Sequence, residues 1–225
     1  MMKVAPTLLA YTDQELTQQF SSLRPYFDQF QVDIQDGKFI TNRTVSLHEY
    51  LSHFSSFDNK QIKKYLFDFH YQTLSYEEDM ETLWRRRENI QIGIHLIHYS
   101  LKPDFENLKK MYPDFSFGLV LNPEDSVEQL TINYNLQTVD GVQIMSIHPG
   151  PQGTPFMPET LTKIEQLRQI DYRSEIYLDG GINLDTLPVI KKQTHTPNFL
   201  CIGSYLTKSS NISVDVQKLN EELSA

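Results

Sequence analysis

The chain has 225 residues, of which 39% are hydrophobic and 22% charged, and its formal net charge at pH 7 is -9. This length and composition suit a folded protein with a sizeable core and argue against a disordered chain. The negative charge argues against a surface for nucleic acids or anionic membranes, because both ligands need clustered Lys and Arg.

Short runs of apolar and β-branched residues recur along the chain, and each predicts a β-strand. In chain order they cover residues 3–9, 29–34, 64–70, 90–96, 115–122, 141–148, 175–179 and 198–204. Amphipathic segments that predict helices lie between them and include residues 13–24, 76–87, 127–134, 158–169 and 214–223. A capping-box pattern at Ser75 indicates one helix start, and Asn183 indicates another. Pro188 predicts that the helix opened by Asn183 is short or bent.

Strand and helix therefore alternate from end to end, with roughly 28 residues per unit (225/8). This spacing favours one α/β domain over residues 1–225, a single (β/α)8 TIM barrel. A doubly wound open sheet is the alternative, but it usually has fewer strands, and no GxGxxG motif follows the first strand. In a barrel, ligands bind at the carboxyl ends of the strands.

Polar residues stand at or near these carboxyl ends. They are Thr7, Asp33, His70, His95, Asn122, His148, Asp179, Gly203 and Ser204. Asp33 and Asp179 form the sharpest pair, because two opposed carboxylates can remove a proton from one face of a carbon and return one to the other. Proton removal next to a carbonyl leaves an enediolate, which a divalent cation or hydrogen bonds can stabilise. His70 could complete a metal site with the two aspartates.

Glycine-containing turns follow the last three predicted strands, at residues 148–156, 179–183 and 202–206. In barrels, the loops after the last strands often hold a phosphate group through backbone N–H groups. Glycine allows the backbone to approach such an anion closely. The turns therefore predict a phosphate-bearing ligand.

For the other histidines and the single cysteine, the sequence predicts mainly structural roles. His95 and His148 either line the pocket or make structural hydrogen bonds, whereas surface or core roles are predicted for His48, His53, His98 and His195. Cys201 is the sole cysteine, so it forms no internal disulfide, which favours a reducing compartment. We expect a cytoplasmic protein that binds neither nucleic acid nor membranes, since no leader or membrane-spanning pattern is evident.

Taken together, the motifs resemble the ribulose-phosphate 3-epimerase family, of which the chain looks like a divergent member. The similar stretches run in order as APTLLA, VDIQDGKFITN, FDFH, IGIH, FGLVLNPEDSVEQL, IMSIHPGPQGTPFMPETLTKIEQLR, YLDGGIN and IGS. The resemblance implies a ribulose-phosphate-binding barrel that inverts C3 of a pentulose 5-phosphate through an enediolate. It gives the acid and base roles to Asp33 and Asp179. It also implies a divalent metal (Zn, Fe, Mn or Mg) held by Asp33, His70, Asp179 and, in place of a family histidine, Gln31.

The resemblance further implies a sugar-phosphate ligand and the residues that bind it. These residues are Thr7, His70, Met145, Gly150, Gly153, Gly180, Gly181, Gly203 and Ser204. A homo-oligomer is compatible with the family. Asp36, next to a glycine, would either orient the loop that follows it or position the residues of the site.

The sequence departs from the family pattern in the pocket. Gln31 offers a neutral amide oxygen, which suits hard cations such as Mg, Mn or Ca better than Zn or Fe. Gln35 and Gln72 replace methionines, so the pocket is more polar, and Pro151 removes an N–H from the phosphate turn. Two alternatives stay open: an epimerase for another sugar phosphate, and a barrel that binds a phosphorylated ligand without turnover.

Overall fold

The computed structural model describes residues 2–57, 59–149 and 154–224. Its eight strands follow one another around a closed barrel in chain order. The first and last strands are paired in parallel, so the barrel closes without a free edge. The prediction of a (β/α)8 barrel is therefore confirmed.

The strands and helices have the following bounds. The strands are β1 Lys3–Leu8, β2 Gln29–Gln35, β3 Leu66–Gln72, β4 Gln91–His98, β5 Ser116–Leu121, β6 Gly141–Met145, β7 Glu175–Asp179 and β8 Phe199–Ile202. The helices are α1 Asp13–Leu23, α2 Leu47–Ser55, α3 Asn59–Ile62, α4 Tyr76–Arg86, α5 Phe105–Met111, α6 Val127–Asn133, α7 Thr162–Gln169, α8 Leu187–Lys191, α9 Ser204–Thr207 and α10 Ile212–Ser224. Within the described residues, no helix has the length and apolar character needed to cross a membrane.

The strands bury both of their faces, as strands do in parallel sheets covered by helices. On β2, Phe30, Val32 and Ile34 belong to the core between strands and helices. The alternate residues on the same strand, Gln31 and Asp33, face the barrel interior, where Gln31 contacts a residue of β7 across the barrel. The interior also holds a small apolar cluster made of Ala5, Ile94, Leu96, Val120, Met145, Tyr177, Phe199 and Cys201. Asp33 thus lies between two apolar neighbours because alternate residues face opposite sides of the strand.

Two helix starts differ in detail from the sequence prediction. Helix α4 begins after Ser75 as expected, but the Ser75 side chain does not cap it. Its hydroxyl is instead 3.1 Å from the hydroxyl of Thr73. Asn183 accepts hydrogen bonds from backbone N–H groups of a turn, and α8 begins only at Leu187. That helix is five residues long, as Pro188 led us to expect.

Candidate active site

A cavity of about 510 Å³ opens at the carboxyl ends of the strands. The predicted site residues that line it are Thr7, Asp33, Met145, Asp179, Gly180, Gly181, Gly203 and Ser204. Two further predicted residues, Gly150 and Gly153, lie outside the described residues. The fold thus brings residues of the first strand and residues that follow the last strand to one cavity.

The carboxylates of Asp33 and Asp179 come from β2 and β7, and the Gln31 side chain bridges them. Nε2 of Gln31 donates to Oδ1 of Asp33 at 3.1 Å and to Oδ2 of Asp179 at 2.8 Å. The Gln143 amide also donates to Oδ2 of Asp179, at 3.1 Å. Burial and the neighbouring Asp33 raise the pKa of Asp179 above its ordinary value, although His70 and Gln31 oppose this shift. The two carboxylates therefore form one coupled unit.

His70 lies beside both carboxylates and is fully buried. Its Nδ1 is 3.1 Å from Oδ1 of Asp33 and 3.6 Å from Oδ2 of Asp179. Burial lowers the pKa of His70, but the two aspartates raise it by more, so the net shift is upward. One ligand atom from each of the three residues lies within 4.8 Å of the other two. Such a set of two carboxylates and one imidazole suits a divalent cation.

Gln31 presents its nitrogen, not its oxygen, to this site. A cation needs the oxygen, and Oε1 of Gln31 is buried without a hydrogen-bond partner among the described residues. A half turn of the amide would exchange the two atoms. The unpartnered oxygen and the two buried carboxylates fit a cation bound at Asp33, His70 and Asp179, with Gln31 beside it.

Sequence reasoning missed two residues of the site, His98 and Gln143. His98 was predicted to be a surface or core group, but its Nε2 is 3.0 Å from Nε2 of His70 inside the barrel. Nε2 of Gln143 is 3.3 Å from Nδ1 of His70. The period-two pattern carries the signal that identifies both residues. His98 shares the interior face of Leu96 on β4, and Gln143 shares that of Met145 on β6.

His95 and His148 have structural surroundings. His95 is buried, and its Nδ1 is 2.8 Å from the hydroxyl of Tyr71. It packs among aromatic rings on the outer face of β4. His148 is exposed beside Glu124, because β6 ends at Met145, before the predicted end of the strand. Neither histidine is among the residues that line the described cavity.

An amide pair stands where the family pattern has methionines. Nε2 of Gln35 donates to Oε1 of Gln72 at 3.0 Å. Nε2 of Gln72 is 3.2 Å from Nδ1 of His70. Oε1 of Gln35 and Oγ1 of Thr7 are buried without hydrogen-bond partners among the described residues. Both atoms belong to residues that line the cavity and can accept hydrogen bonds from a ligand.

The glycines near the cavity serve different purposes. Gly180 and Gly181 have φ angles of +112° and +66°, which other residues rarely adopt. A Cβ on Gly181 would also lie 3.1 Å from the Cα of Phe156. Gly203 has no such constraint, since the nearest atom to a Cβ there is 3.7 Å away, on Thr7. The backbone therefore requires glycine at 180 and 181, whereas at 203 glycine leaves open space at the cavity.

Asp36 connects two loops at the mouth of the barrel. Its carboxylate accepts hydrogen bonds from the backbone N–H groups of Lys38 and Phe39, at 2.7 and 2.8 Å. It also accepts one from the N–H of Leu74 at 2.8 Å, in the loop after β3. The ring of Phe39 is thereby placed 4.9 Å from the ring of His98. Asp36 orients the loop that follows it and helps to cover the site.

Comparison with known proteins supplies the classification. The model of the "Ribulose-phosphate 3 epimerase family" matches residues 3–207. The chain belongs to this family. The ribulose-phosphate 3-epimerase of Schizosaccharomyces pombe is 26% identical over 191 residues, which cover 82% of this chain and 78% of that protein. The ribulose-phosphate 3-epimerase of Synechocystis is 28% identical over 188 residues, covering 80% of this chain and 76% of that protein.

Solved structures share the fold at lower identity. KGPDC from Streptococcus mutans superimposes with a TM-score of 0.69 and 12% identity. The superposition covers 99% of this chain and 97% of that chain. This likeness supports the barrel architecture, while the family match confirms the membership that the motifs indicated.

Proposed function

We propose that this protein is a ketose-phosphate 3-epimerase that acts on D-ribulose 5-phosphate or a related ketose phosphate. The observation that carries the proposal is the pair of buried carboxylates, Asp33 and Asp179, which face one cavity in a chain of the epimerase family. One carboxylate removes the C3 proton next to the C2 carbonyl, which gives an enediolate. The other carboxylic acid returns a proton to the opposite face of C3, so the configuration inverts.

The enediolate carries negative charge that the site must stabilise. The Gln31, Gln72 and Gln143 amides each present a nitrogen donor within 3.2 Å of Asp33, Asp179 or His70. Such fixed dipoles stabilise charge that develops in a site shielded from water. Asp33, His70 and Asp179 would hold a divalent cation, which would add positive charge next to the enediolate.

The phosphate group of the substrate is expected at the side of the cavity formed after β7 and β8. Gly181, Gly203 and Ser204 lie there and offer backbone N–H groups. Lys208 lines the same cavity and adds a positive charge. Sequence reasoning did not identify this lysine. The arrangement supports a phosphorylated substrate.

A second candidate is an epimerase for a different ketose phosphate, and Gln35 favours it. The unpartnered Oε1 of Gln35 is a buried acceptor at the cavity, where a methionine would offer none. A substrate hydroxyl that donates to this oxygen would be preferred. Relative kcat/KM values for ketose 5-phosphates and 6-phosphates, measured on the protein and on Gln35→Met, distinguish the two candidates. Pure ligand binding is less favoured, because two adjacent buried carboxyl groups lower the stability of a fold that makes no use of them.

Substitution of either aspartate tests the proposal. We expect Asp33→Asn and Asp179→Asn each to lower kcat by roughly 10²- to 10⁴-fold, because an amide of the same shape cannot transfer the proton. The measurement is epimerisation of ribulose 5-phosphate followed by NMR, with circular dichroism to establish folding.

Asp68→Asn is the matched control for these variants. Asp68 is also a buried carboxyl on the interior side of a strand, but it accepts from the N–H of Ile94 at 3.0 Å and does not line the cavity. Its variant should keep its turnover. Wild-type turnover in a folded Asp33→Asn or Asp179→Asn protein would contradict the assignment.

A further inference from the structure

His98 is a buried polar residue whose presence the barrel core does not require. It lies at the end of β4 and is 0% exposed. Its Nε2 is 3.0 Å from Nε2 of His70, and the two ring planes are 25° apart. An apolar residue would fill the same space without the desolvation cost of an imidazole. The contact with His70 is therefore the feature that calls for an explanation.

A hydrogen bond between two Nε2 atoms fixes where the protons are. A cation binds only neutral His70, and a neutral imidazole carries one N–H, so one ring donates through Nε2 and the other accepts. If His70 donates, its Nδ1 has a free lone pair, and the proton of His98 is on Nδ1. If His98 donates, Nδ1 of His70 carries the proton and cannot bind a cation. The direction of this single bond decides whether His70 can act as a ligand.

The neighbours of the pair favour His70 as the donor. Two side-chain amides, those of Gln72 and Gln143, bring nitrogen donors to 3.2 and 3.3 Å from Nδ1 of His70. A donor requires a lone pair on Nδ1, which the opposite tautomer lacks. The Asp33 carboxylate favours the opposite tautomer, because its Oδ1 lies 3.1 Å from Nδ1 of His70 and can accept a hydrogen bond from a proton there. The environment of Nδ1 is therefore divided, and the groups around His98 decide the direction.

Asn122 supplies the deciding group on the far side of His98. The Asn122 side chain lies beside the His98 ring. Nδ1 of His98 and Oδ1 of Asn122 are both buried, and neither has a hydrogen-bond partner of ordinary geometry among the described residues. An amide oxygen beside Nδ1 favours a proton on that atom. Nε2 of His98 then becomes the acceptor for His70.

We propose that His98 is the positioning residue that holds His70 in the tautomer with a free Nδ1, so that His70 can bind a divalent cation with Asp33 and Asp179. The proposal rests on the cation site of the proposed function. It assigns to His98 a role in metal affinity, through His70, without contact with the substrate. Hydrogen-bond partners of this kind fix the orientation and basicity of metal-binding histidines.

Calorimetric titration of Co²⁺ into metal-free protein tests the role of His98. We expect His98→Phe to weaken Co²⁺ binding by roughly 10- to 100-fold, because Nε2 of His70 loses its acceptor. His98→Gln should recover much of the affinity, since an amide oxygen can accept the same hydrogen bond. His95→Gln is the matched control on the same strand and should bind Co²⁺ as the wild type does, because His95 faces the helices.

Nitrogen NMR of histidine-labelled, metal-free wild-type protein gives a readout that does not depend on any variant folding. The proposal predicts a proton on Nε2 of His70 and on Nδ1 of His98. The opposite pattern, or equal Co²⁺ affinity in folded His98→Phe, would overturn it. A wild-type protein that binds no Co²⁺ would also overturn it, whereas the acid and base roles would still be judged by the Asp33→Asn and Asp179→Asn assays.

Discussion

The side chain of Gln31 links the carboxylates of Asp33 and Asp179 through hydrogen bonds. One amide nitrogen donates to both, at 3.1 Å to Asp33 and at 2.8 Å to Asp179. Hydrogen bonds to carboxylates are stronger than those between neutral groups, and here they replace part of the solvation that burial removes. In this structure the amide nitrogen therefore fixes the spacing of the two carboxylates, and Oε1 of Gln31 stays without a hydrogen-bond partner among the described residues.

Gly203 allows the phosphate-binding role to be tested without damage to the fold. Gly203→Ala adds a methyl group at the cavity, and there is room for it, since its Cβ would be 3.7 Å from the nearest atom. We expect the KM for the sugar phosphate to rise by roughly tenfold or more, because the methyl group would keep the phosphate from the backbone N–H groups and so cost about one hydrogen bond to a charged group. The melting temperature should stay close to that of the wild type.

Gly181→Ala is the informative comparison for that experiment. The φ of +66° at Gly181 makes any side chain there costly, by about 1–2 kcal/mol, so this variant should melt at a lower temperature. Enzyme kinetics with ribulose 5-phosphate and thermal melts of both variants provide the data. An unchanged KM in Gly203→Ala would remove this turn from the phosphate site.

Site residues at the ends of apolar strands were predictable from the sequence. Contacts between side chains on opposite sides of the barrel were not. Asp33 and Asp179 each lie at or near the end of an apolar run, so the sequence pattern identifies them. The period-two pattern of β6 places Gln143 on the interior face, but it does not indicate the contact with His70, which is 73 positions away in the sequence. His98 was missed because a histidine in an apolar strand is equally compatible with a structural role. Barrel closure is what makes these side chains neighbours.

At the scale of the element, β4 carries two histidines with opposite orientations. His98 faces the interior, whereas His95 faces the helices and bonds to the hydroxyl of Tyr71 at 2.8 Å. Burial lowers the pKa of His95 from 6.5 to about 3. The strand therefore contributes one polar group to the site and one neutral imidazole to the outer core.

The buried His95 makes the stability of the protein dependent on pH. The unfolded chain gains a proton at this residue as the pH falls below 6.5, while the folded chain does not until the pKa of about 3 is reached. The stabilising contribution is thus complete above the unfolded pKa and is lost as the pH falls toward the folded one. At about pH 5 the loss is roughly 2 kcal/mol in the free energy of unfolding.

His95→Gln isolates this effect, because glutamine can keep the bond to Tyr71 but does not titrate in this range. Urea unfolding at several pH values should show a smaller loss of stability below pH 6.5 in His95→Gln than in the wild type. Identical pH dependence in the two proteins would show that other groups account for the acid sensitivity.

Local patterns predicted most elements but not every helix boundary. Helix α2 was absent from the predicted segments, although Ser46 and Glu49 form a capping box at its start. Ser75 offers the same kind of pattern, yet its hydroxyl is engaged by Thr73. The two serines differ in their neighbours rather than in local sequence, so tertiary context decides which pattern is used.

In the whole molecule, the closed barrel brings strands that alternate with helices along the chain to one common site. Each strand ends at the same rim, so side chains from β2, β3, β4, β6 and β7 meet around the two carboxylates. The alternation repeats along the whole chain, which is why the fold was predictable from the sequence. The expected homo-oligomer and the cytoplasmic location stay predictions.

Exchange of the C3 proton of ribulose 5-phosphate in deuterated water tests the central claim most directly. Wild-type protein is incubated with the substrate, with and without added Co²⁺, and the sugar is followed by proton NMR. We expect deuterium at C3 together with formation of the C3 epimer, because the acid and base would exchange protons with solvent during turnover. Folded protein that produces neither deuterium at C3 nor the epimer, even with Co²⁺ present, would contradict the assignment of ribulose 5-phosphate as its substrate.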